Sequence, residues 1–301
     1  MPNNGEFASE LAVQDRSAIA FGLGAVALWS TVATAFKISL DHLSPLQLLW
    51  LAILTSWVVL GVALLFSPTR SQARTGWSRA WLPALLNPVG YYLILFSAYD
   101  RLPGQEAMAL NYTWALTMTL LAVPILGQKL TGSDILGGVL AYSGVWVIAT
   151  RGEVTTFQFA NPAGVGLALL STLLWALYWL LNARDPRPPL VAQFQNFTLA
   201  LPILTGILLL WEGFHKIESV GLVGAVYVGI FEMGISFLLW QEATRRTSRT
   251  ARVANLIFLS PPVSLLLLWW IRGEPLLTST FVGLVLILGG LGVQNKKGRS
   301  S

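Results

Sequence analysis

Leu46–Phe66 reads LQLLWLAILTSWVVLGVALLF, 21 residues without a charged side chain, and Ser67-Pro68 closes it. A helix needs about 20 apolar residues to cross a hydrocarbon core roughly 30 Å thick. This stretch therefore reads as a membrane span. The whole chain shares its character: of 301 residues, 54% are hydrophobic and 11% charged, with mean hydropathy +0.64. A soluble domain carries about 25% charged residues, so a soluble chain of this composition would lack the polar surface to cover itself.

Nine further apolar runs accompany the first. In chain order the ten are Ala18–Ile38, Leu46–Phe66, Ala80–Tyr99, Glu106–Leu126, Thr131–Thr150, Ala163–Asn182, Leu190–Trp211, Ser219–Gln241, Arg252–Ile271 and Leu276–Val293. Helix-breaking and capping residues join them, among them Asp41 to Pro45, Leu102-Pro103-Gly104, Asn161-Pro162 and Pro186 to Pro189. No apolar alternation of strand length recurs, which argues against a membrane barrel. The expected fold is an all-α membrane protein of ten transmembrane helices.

Charge orients the spans. With the N-terminus inside, the inner segments hold fourteen Lys and Arg residues, including Arg79, Arg187 and the Arg245 to Arg252 group, and the outer segments hold five. The positive-inside rule places both termini in the cytoplasm of a bacterial inner membrane. Distribution of the basic residues between apolar runs also accounts for the pI near 9.7 without nucleic acid as a partner. There is no cysteine, hence no disulfide and no thiolate metal site. Residues 1–16 are polar and read as a cytoplasmic tail, and 296–301 as a second one.

The chain also repeats itself. Trp29 and Trp175 are 146 residues apart, as are Gln47 and Gln193; Gly90 and Gly234 are 144 apart, as are Asn111 and Asn255. The 146 spacing returns at Gly127 and Gly273, Gly137 and Gly283, and Gly144 and Gly290. This register divides the chain into a first five-helix repeat at 17–150, an external linker at 151–161 and a second repeat at 162–295. Five is odd, so the second repeat inserts upside down. Inverted repeats mark secondary transporters whose site lies near mid-membrane between the repeats.

Gly127-Gln128 followed by Gly137, Gly138 and Gly144, and Gly273-Glu274 followed by Gly283, Gly289, Gly290 and Gly292, resemble the fourth- and fifth-span endings of the drug/metabolite transporter superfamily, EamA-type branch. Gln128 departs from the Gly-Glu of that pattern. The resemblance covers about residues 17 to 295. Within it, Trp29, Asn87 to Tyr92 (NPVGYY) and Ala109 to Trp114 (ALNYTW) are similar to the branch that exports aromatic amino acids. Export from the cytoplasm is what that resemblance implies.

Candidate functional residues follow from where polar and aromatic groups fall. Glu232 is the one acid near the middle of a span. An ionisable group there is expensive and should face protein or water. It could couple protons, hold a substrate ammonium, or act as a hydrogen-bonded structural carboxyl. Trp29 and Trp175 lie mid-span at equivalent repeat positions, where interfacial belts, which explain Trp77, Trp81, Trp211, Trp269 and Trp270, do not reach. Trp175, Tyr178, Trp179 and Asn182 share one helical face; Asn111, Trp114 and Met118 share another. Tyr91 and Tyr92 follow Pro88 and Gly90, an expected kink. Such rings suit a cavity for an aromatic ring attached to a zwitterion, or else they pack helices or face lipid, as Trp57 is expected to. Asn111 and Asn255 serve substrate contact or helix association equally well. The glycines of the fifth and tenth spans serve close packing within the chain, or a homodimer interface.

No His-Glu-x-x-His, Gly-x-Ser-x-Gly or phosphate-binding glycine loop occurs, and no aspartate lies near the middle of a span. The sequence reads as a non-enzyme with no cofactor and no metal. The expected function is alternating-access export of aromatic amino acids through a cavity between the repeats, with the bilayer and a small-molecule substrate as partners. A broad drug and metabolite exporter is the alternative within transport, and a non-transporting sensor or scaffold the alternative outside it.

Overall fold

The computed structural model describes residues 4–126, 132–155, 161–182, 184–213, 217–246 and 255–297. Gly127-Gln128, His215 and the Thr247 to Thr250 connection fall outside them. The described residues are all helical or connecting, with no strand. Seven helices are long and apolar enough to cross a membrane, and two shorter apolar ones, Ile135–Ala149 and Thr278–Val293, accompany them.

Helix α1 is Asn4–Leu40, so the helix begins well ahead of the first apolar run at Ala18. Helix α2 is Pro45–Leu65. Its start follows from local chemistry: the Ser44 hydroxyl accepts from the Gln47 N–H at 3.1 Å and the Gln47 side chain accepts from the Ser44 N–H at 3.2 Å, with proline at the first position. The third apolar run is broken. Short α3, Trp81–Ala84, passes through a π-helical turn, Leu85–Gly90, into α4, Tyr91–Arg101. Asn87 leaves helical geometry (φ −148°, ψ 118°) because the following Pro88 disfavours it. The fourth run breaks too, into α5, Gly104–Asn111, and α6, Trp114–Leu126, at the Tyr112–Thr113 turn.

Helices α7, Gly132–Ala149, and α8, Pro162–Asn182, are uninterrupted, as is α9, Pro189–Trp211. Helix α10, Ser219–Tyr227, continues through a second π-helical segment, Val228–Ile235, into α11, Ser236–Arg246. A 3₁₀ turn, Asn255–Leu259, leads into α12, Ser260–Arg272, which Gly273 ends at φ 65°. The last helix, α13, is Thr278–Lys297.

Two antiparallel pairings join early helices to late ones. Against α9, the Trp50 indole donates to the Thr205 hydroxyl at 2.8 Å and, seven residues on, Trp57 donates to Thr198 at 2.9 Å. Each threonine hydroxyl in turn donates to its own helix, at Leu201 O and Phe194 O, so every polar atom in the relay is satisfied. Trp57 also stacks on Phe194 at 6.1 Å. It is therefore a half-buried helix clamp and not the lipid-facing ring expected from its position in an apolar run. In the second pairing α7 packs on α13. A Cβ at Gly144 would meet the Gly283 carbonyl, and one at Gly290 would meet the Gly137 carbonyl. Absence of side chains lets the two backbones touch. Trp81, Trp211, Trp269 and Trp270 are exposed near helix ends, as interfacial rings should be.

One buried charge network pins the segment between α2 and α3. Arg187 is only 8% exposed. Its guanidinium donates to Asp185 Oδ1 and Oδ2 and to Gln195 Oε1 (2.8 Å). Gln195 Nε2 then donates to the Ala73 and Thr75 carbonyls at 3.0 and 2.8 Å. Burial alone would push the Asp185 carboxyl up, but the hydrogen bonds and charge of Arg187 outweigh it and hold the carboxyl below its ordinary value. A carboxyl so lowered contributes stability that is complete above its unfolded pKa, near 3.9, and is lost as pH falls through the folded value. Asp185→Asn should therefore lower thermal stability at neutral pH by about 3 kcal/mol, the loss typical of a broken buried pair. The gap to the unmodified protein should close as pH drops below roughly 4. A gap that stays constant down to low pH contradicts this assignment.

Candidate functional site

The second π-helical segment, the Tyr112–Thr113 turn and the 3₁₀ turn each give a residue to one interior cavity of about 420 Å³, and the first π-helical segment ends just before Tyr91, which also lines it. From α1 come Trp29, Val32, Ala33 and Phe36; from α4, Tyr91, Leu95 and Tyr99; from α5 and α6, Asn111, Trp114 and Met118. Trp175 and Trp179 come from α8, Glu232 from the second π segment, Trp240 from α11, Ile257 from the 3₁₀ turn and Ser264 from α12.

Trp175 is the hub of its aromatic wall. Tyr91 stacks on it at 4.3 Å and Tyr178 at 5.9 Å; Trp179 and Phe237 meet it edge-on at 5.6 and 6.0 Å. Trp29 meets the same Phe237 edge-on at 6.1 Å and Trp240 at 5.2 Å. Phe237 thus links the two mid-span tryptophans, which border one cavity without touching each other directly. Contacts of this geometry are worth about 0.5–1.5 kcal/mol each beyond area burial.

Glu232 carries the polar side of the wall. The Tyr92 hydroxyl donates to its Oε1 at 3.1 Å, and its Oε2 is buried with no hydrogen-bond partner among the described residues. Nearby, Asn111 Nδ2 donates to the Ser171 hydroxyl at 3.1 Å, and its Oδ1 lies 3.5 Å from the Tyr91 hydroxyl. The Trp179 indole N–H is also buried without a partner among the described residues. The Ser264 hydroxyl is committed to the Ser30 carbonyl at 2.7 Å. Among the described residues no three His, Asp or Glu side chains gather where a metal ion would need them.

Of the residues singled out in the sequence, Trp29, Tyr91, Asn111, Trp114, Trp175, Trp179 and Glu232 border the cavity. Tyr92 and Tyr178 stand directly behind it, Tyr92 through its hydroxyl and Tyr178 through its ring. The Asn255 side chain lies outside the described ones, although its backbone opens the 3₁₀ turn that ends in the cavity wall. Phe237 and Trp240 were not foreseen. Trp240 stands two turns beyond Glu232 on the same helical face, a spacing that could have pointed to it. Phe237 is five residues on, and a π-helical turn, which bonds i to i+5, brings it there.

The end of the cavity nearest the α1 C-terminus is shut. Phe36 packs edge-on against Phe96 and Tyr99, at 4.8 and 5.2 Å, and Lys37 Nζ donates to the Tyr99 and Leu102 carbonyls at 2.8 and 3.2 Å. Glu274 accepts from the first two N–H groups of α5, Gly104 and Gln105, at 3.1 and 3.3 Å. A carboxylate there satisfies free amides and meets the positive end of the helix. Ion pairs Asp41–Arg272 and His42–Glu218 lie outside these contacts. A second depression of about 520 Å³ opens sideways between α1, α10 and α12, but its wall is nearly all apolar and carries no charged residue. Its lining side chains offer hydroxyls, from Thr31, Thr34, Ser219 and Tyr227, but no charge to match an ion, so the Glu232 cavity is the candidate site.

The model of the EamA-like transporter family matches the chain twice, at residues 16–150 and 162–295. The chain is 28% identical to the aromatic amino acid exporter YddG of Ancylobacter novellus, over 92% of this chain and 96% of that one. It is 26% identical to a probable terminal-alkyne amino-acid exporter of Streptantibioticus cattleyicolor, over 90% and 91%. One solved crystal structure, 25% identical, superposes with a TM-score of 0.67 over 95% of this chain and 99% of that chain.

The Tyr92–Glu232 bond has a direct test. Tyr92→Phe leaves both carboxyl oxygens without a protein donor, which should destabilise the protein by about 1–3 kcal/mol. Combined with Glu232→Gln, the loss should be clearly less than the sum of the two single losses. Additive losses in thermal unfolding would mean that the hydroxyl and the carboxyl are not energetically coupled.

Proposed function

We propose that this chain, which belongs to the EamA-like transporter family over residues 16–150 and 162–295, exports aromatic amino acids from the cytoplasm by alternating access. The carrying observation is the cavity: an aromatic wall centred on Trp175, with a single carboxyl at Glu232 facing the same space. Rings suit the aromatic side chain, Glu232 the α-ammonium, and the Asn111 amide and Trp179 N–H the carboxylate end. Named functions of the relatives, an aromatic amino acid exporter and a probable amino-acid exporter, support the same substrate class.

The transporter has ten spans in this reading, in two inverted repeats at 17–150 and 162–295. The linker at 151–161 is external, and the tails at 1–16 and 296–301 are cytoplasmic. The glycine packing supports inversion. Gly137 corresponds to Gly283 and Gly144 to Gly290 in the repeat register, so the contacts Gly144–Gly283 and Gly137–Gly290 are one contact repeated about a two-fold axis. That axis runs across the helices, because α7 and α13 are antiparallel. With the α1 C-terminus external, the shut end is the outer gate, held by Glu274 on α5 and Lys37 on α4. Transport then requires these contacts to exchange for closure at the cytoplasmic end, as one bundle rocks on the other.

The test is counterflow in proteoliposomes. Labelled phenylalanine and tryptophan should show saturable counterflow, and a small aliphatic amino acid much less. Loss of one aromatic contact, about 0.5–1.5 kcal/mol, corresponds to roughly two- to twelve-fold in affinity. Trp29→Ala and Trp175→Ala should each weaken aromatic transport by that factor at matched protein amount, with less effect on the aliphatic one. Equal losses for both classes would make the rings packing elements. No aromatic counterflow by the unmodified protein would remove the substrate assignment.

A further inference from the structure

The cavity is unbalanced in charge. Among its described lining residues Glu232 is the one ionisable carboxyl, and there is no lysine, arginine or histidine. Lys37, next in sequence to Phe36 of the wall, has its Nζ held by two carbonyls at the shut end, and Arg187 is paired with Asp185. Glu232 Oε1 already has Tyr92, which leaves Oε2 as a buried acceptor lacking a donor. An ammonium supplies donors and a compensating charge.

A substrate carboxylate meets the opposite situation. The donors that remain are neutral. Asn111 gives one of its two amide N–H groups to Ser171 and keeps the other, Ser264 donates to Ser30, and the Trp179 N–H has no partner among the described residues. Neutral N–H groups serve an amide or ester carbonyl as well as they serve a carboxylate oxygen. Binding a monocation makes a neutral pair with ionised Glu232. A zwitterion leaves one negative charge uncompensated in a desolvated space, which is unfavourable.

We infer that the cavity selects aromatic primary amines whose carboxyl is absent or masked as an amide or ester over the corresponding free amino acids. This rests on the export reading of the same cavity and narrows its substrate class. The chemistry places the transporter after reactions that decarboxylate aromatic amino acids or derivatise their carboxyl groups.

Isothermal titration of the purified full-length protein at neutral pH distinguishes the cases, with 2-phenylethylamine, L-phenylalaninamide, L-phenylalanine and 3-phenylpropionate as ligands. The first two should bind about tenfold or more tighter than phenylalanine, equivalent to about 1.4 kcal/mol, and phenylpropionate should give no heat. Glu232→Gln should weaken phenylethylamine about tenfold or more and erase the gap between phenylalaninamide and phenylalanine, with helical content and elution unchanged. The comparison among ligands on the unmodified protein stands even if that variant fails to fold. Phenylalanine binding as tightly as its amide, or phenylpropionate binding as well as phenylethylamine, would overturn the inference. Counterflow of phenylalanine without tighter amine binding sinks this inference alone. Amine binding without phenylalanine counterflow sinks the amino-acid reading and leaves this one standing. No heat from any of the four sinks both.

Discussion

Hydrocarbon offers no hydrogen-bond partner, so every polar group that enters the membrane must find one within the protein. The long helices satisfy this along their own backbones. Side chains satisfy it in pairs: Trp50 with Thr205, Trp57 with Thr198, Tyr92 with Glu232. Irregular backbone is tolerated only where it lines a protein-enclosed space, and here the breaks gather around one. The Tyr112–Thr113 turn, the π segment carrying Glu232 and the 3₁₀ turn containing Ile257 border the same cavity, and the π turn at Leu85–Gly90 leads directly into Tyr91, which lines it.

The same constraint explains how distant parts of the chain are joined. Lipid is as apolar as leucine, so helix association relies on close packing and buried hydrogen bonds rather than on hydrophobic burial. Helices α7 and α13 use bare backbone contact at glycines seven residues apart. Helices α2 and α9 use the tryptophan–threonine relays, also seven residues apart. Both pairings hold one half of the chain to the other through residues that do not line the cavity.

Much of this was legible in the sequence, because lipid exposure leaves a strong mark. Helix α2 falls within one residue of the Leu46–Phe66 reading, since a capping box and an uncharged run leave little choice. The break at Pro88 was legible from proline chemistry. The break at Val228–Ile235 was not, as no proline marks it, and with it Phe237 was missed. Trp57 was misread because an apolar run has no polar face to reveal which side meets protein; its partner Thr198 lies 141 residues away. Arg187 counted only as a cytoplasmic charge, yet it anchors the α2–α3 connection through Gln195, a contact between residues and backbone that no local pattern encodes. Glu274 was noted as part of a Gly-Glu ending, but its work as the cap of α5 depends on the two halves meeting at that end.

The account rests on two halves that enter the membrane in opposite directions and enclose the cavity between them. The chain has no cysteine, so single cysteines report position without background. Asp100→Cys and Ser248→Cys mark corresponding connections of the two halves. With a membrane-impermeant maleimide on spheroplasts, Cys at 100 should label on intact cells and Cys at 248 only after lysis. Labelling of both from the same side would contradict the inverted arrangement and, with it, the placement of the site.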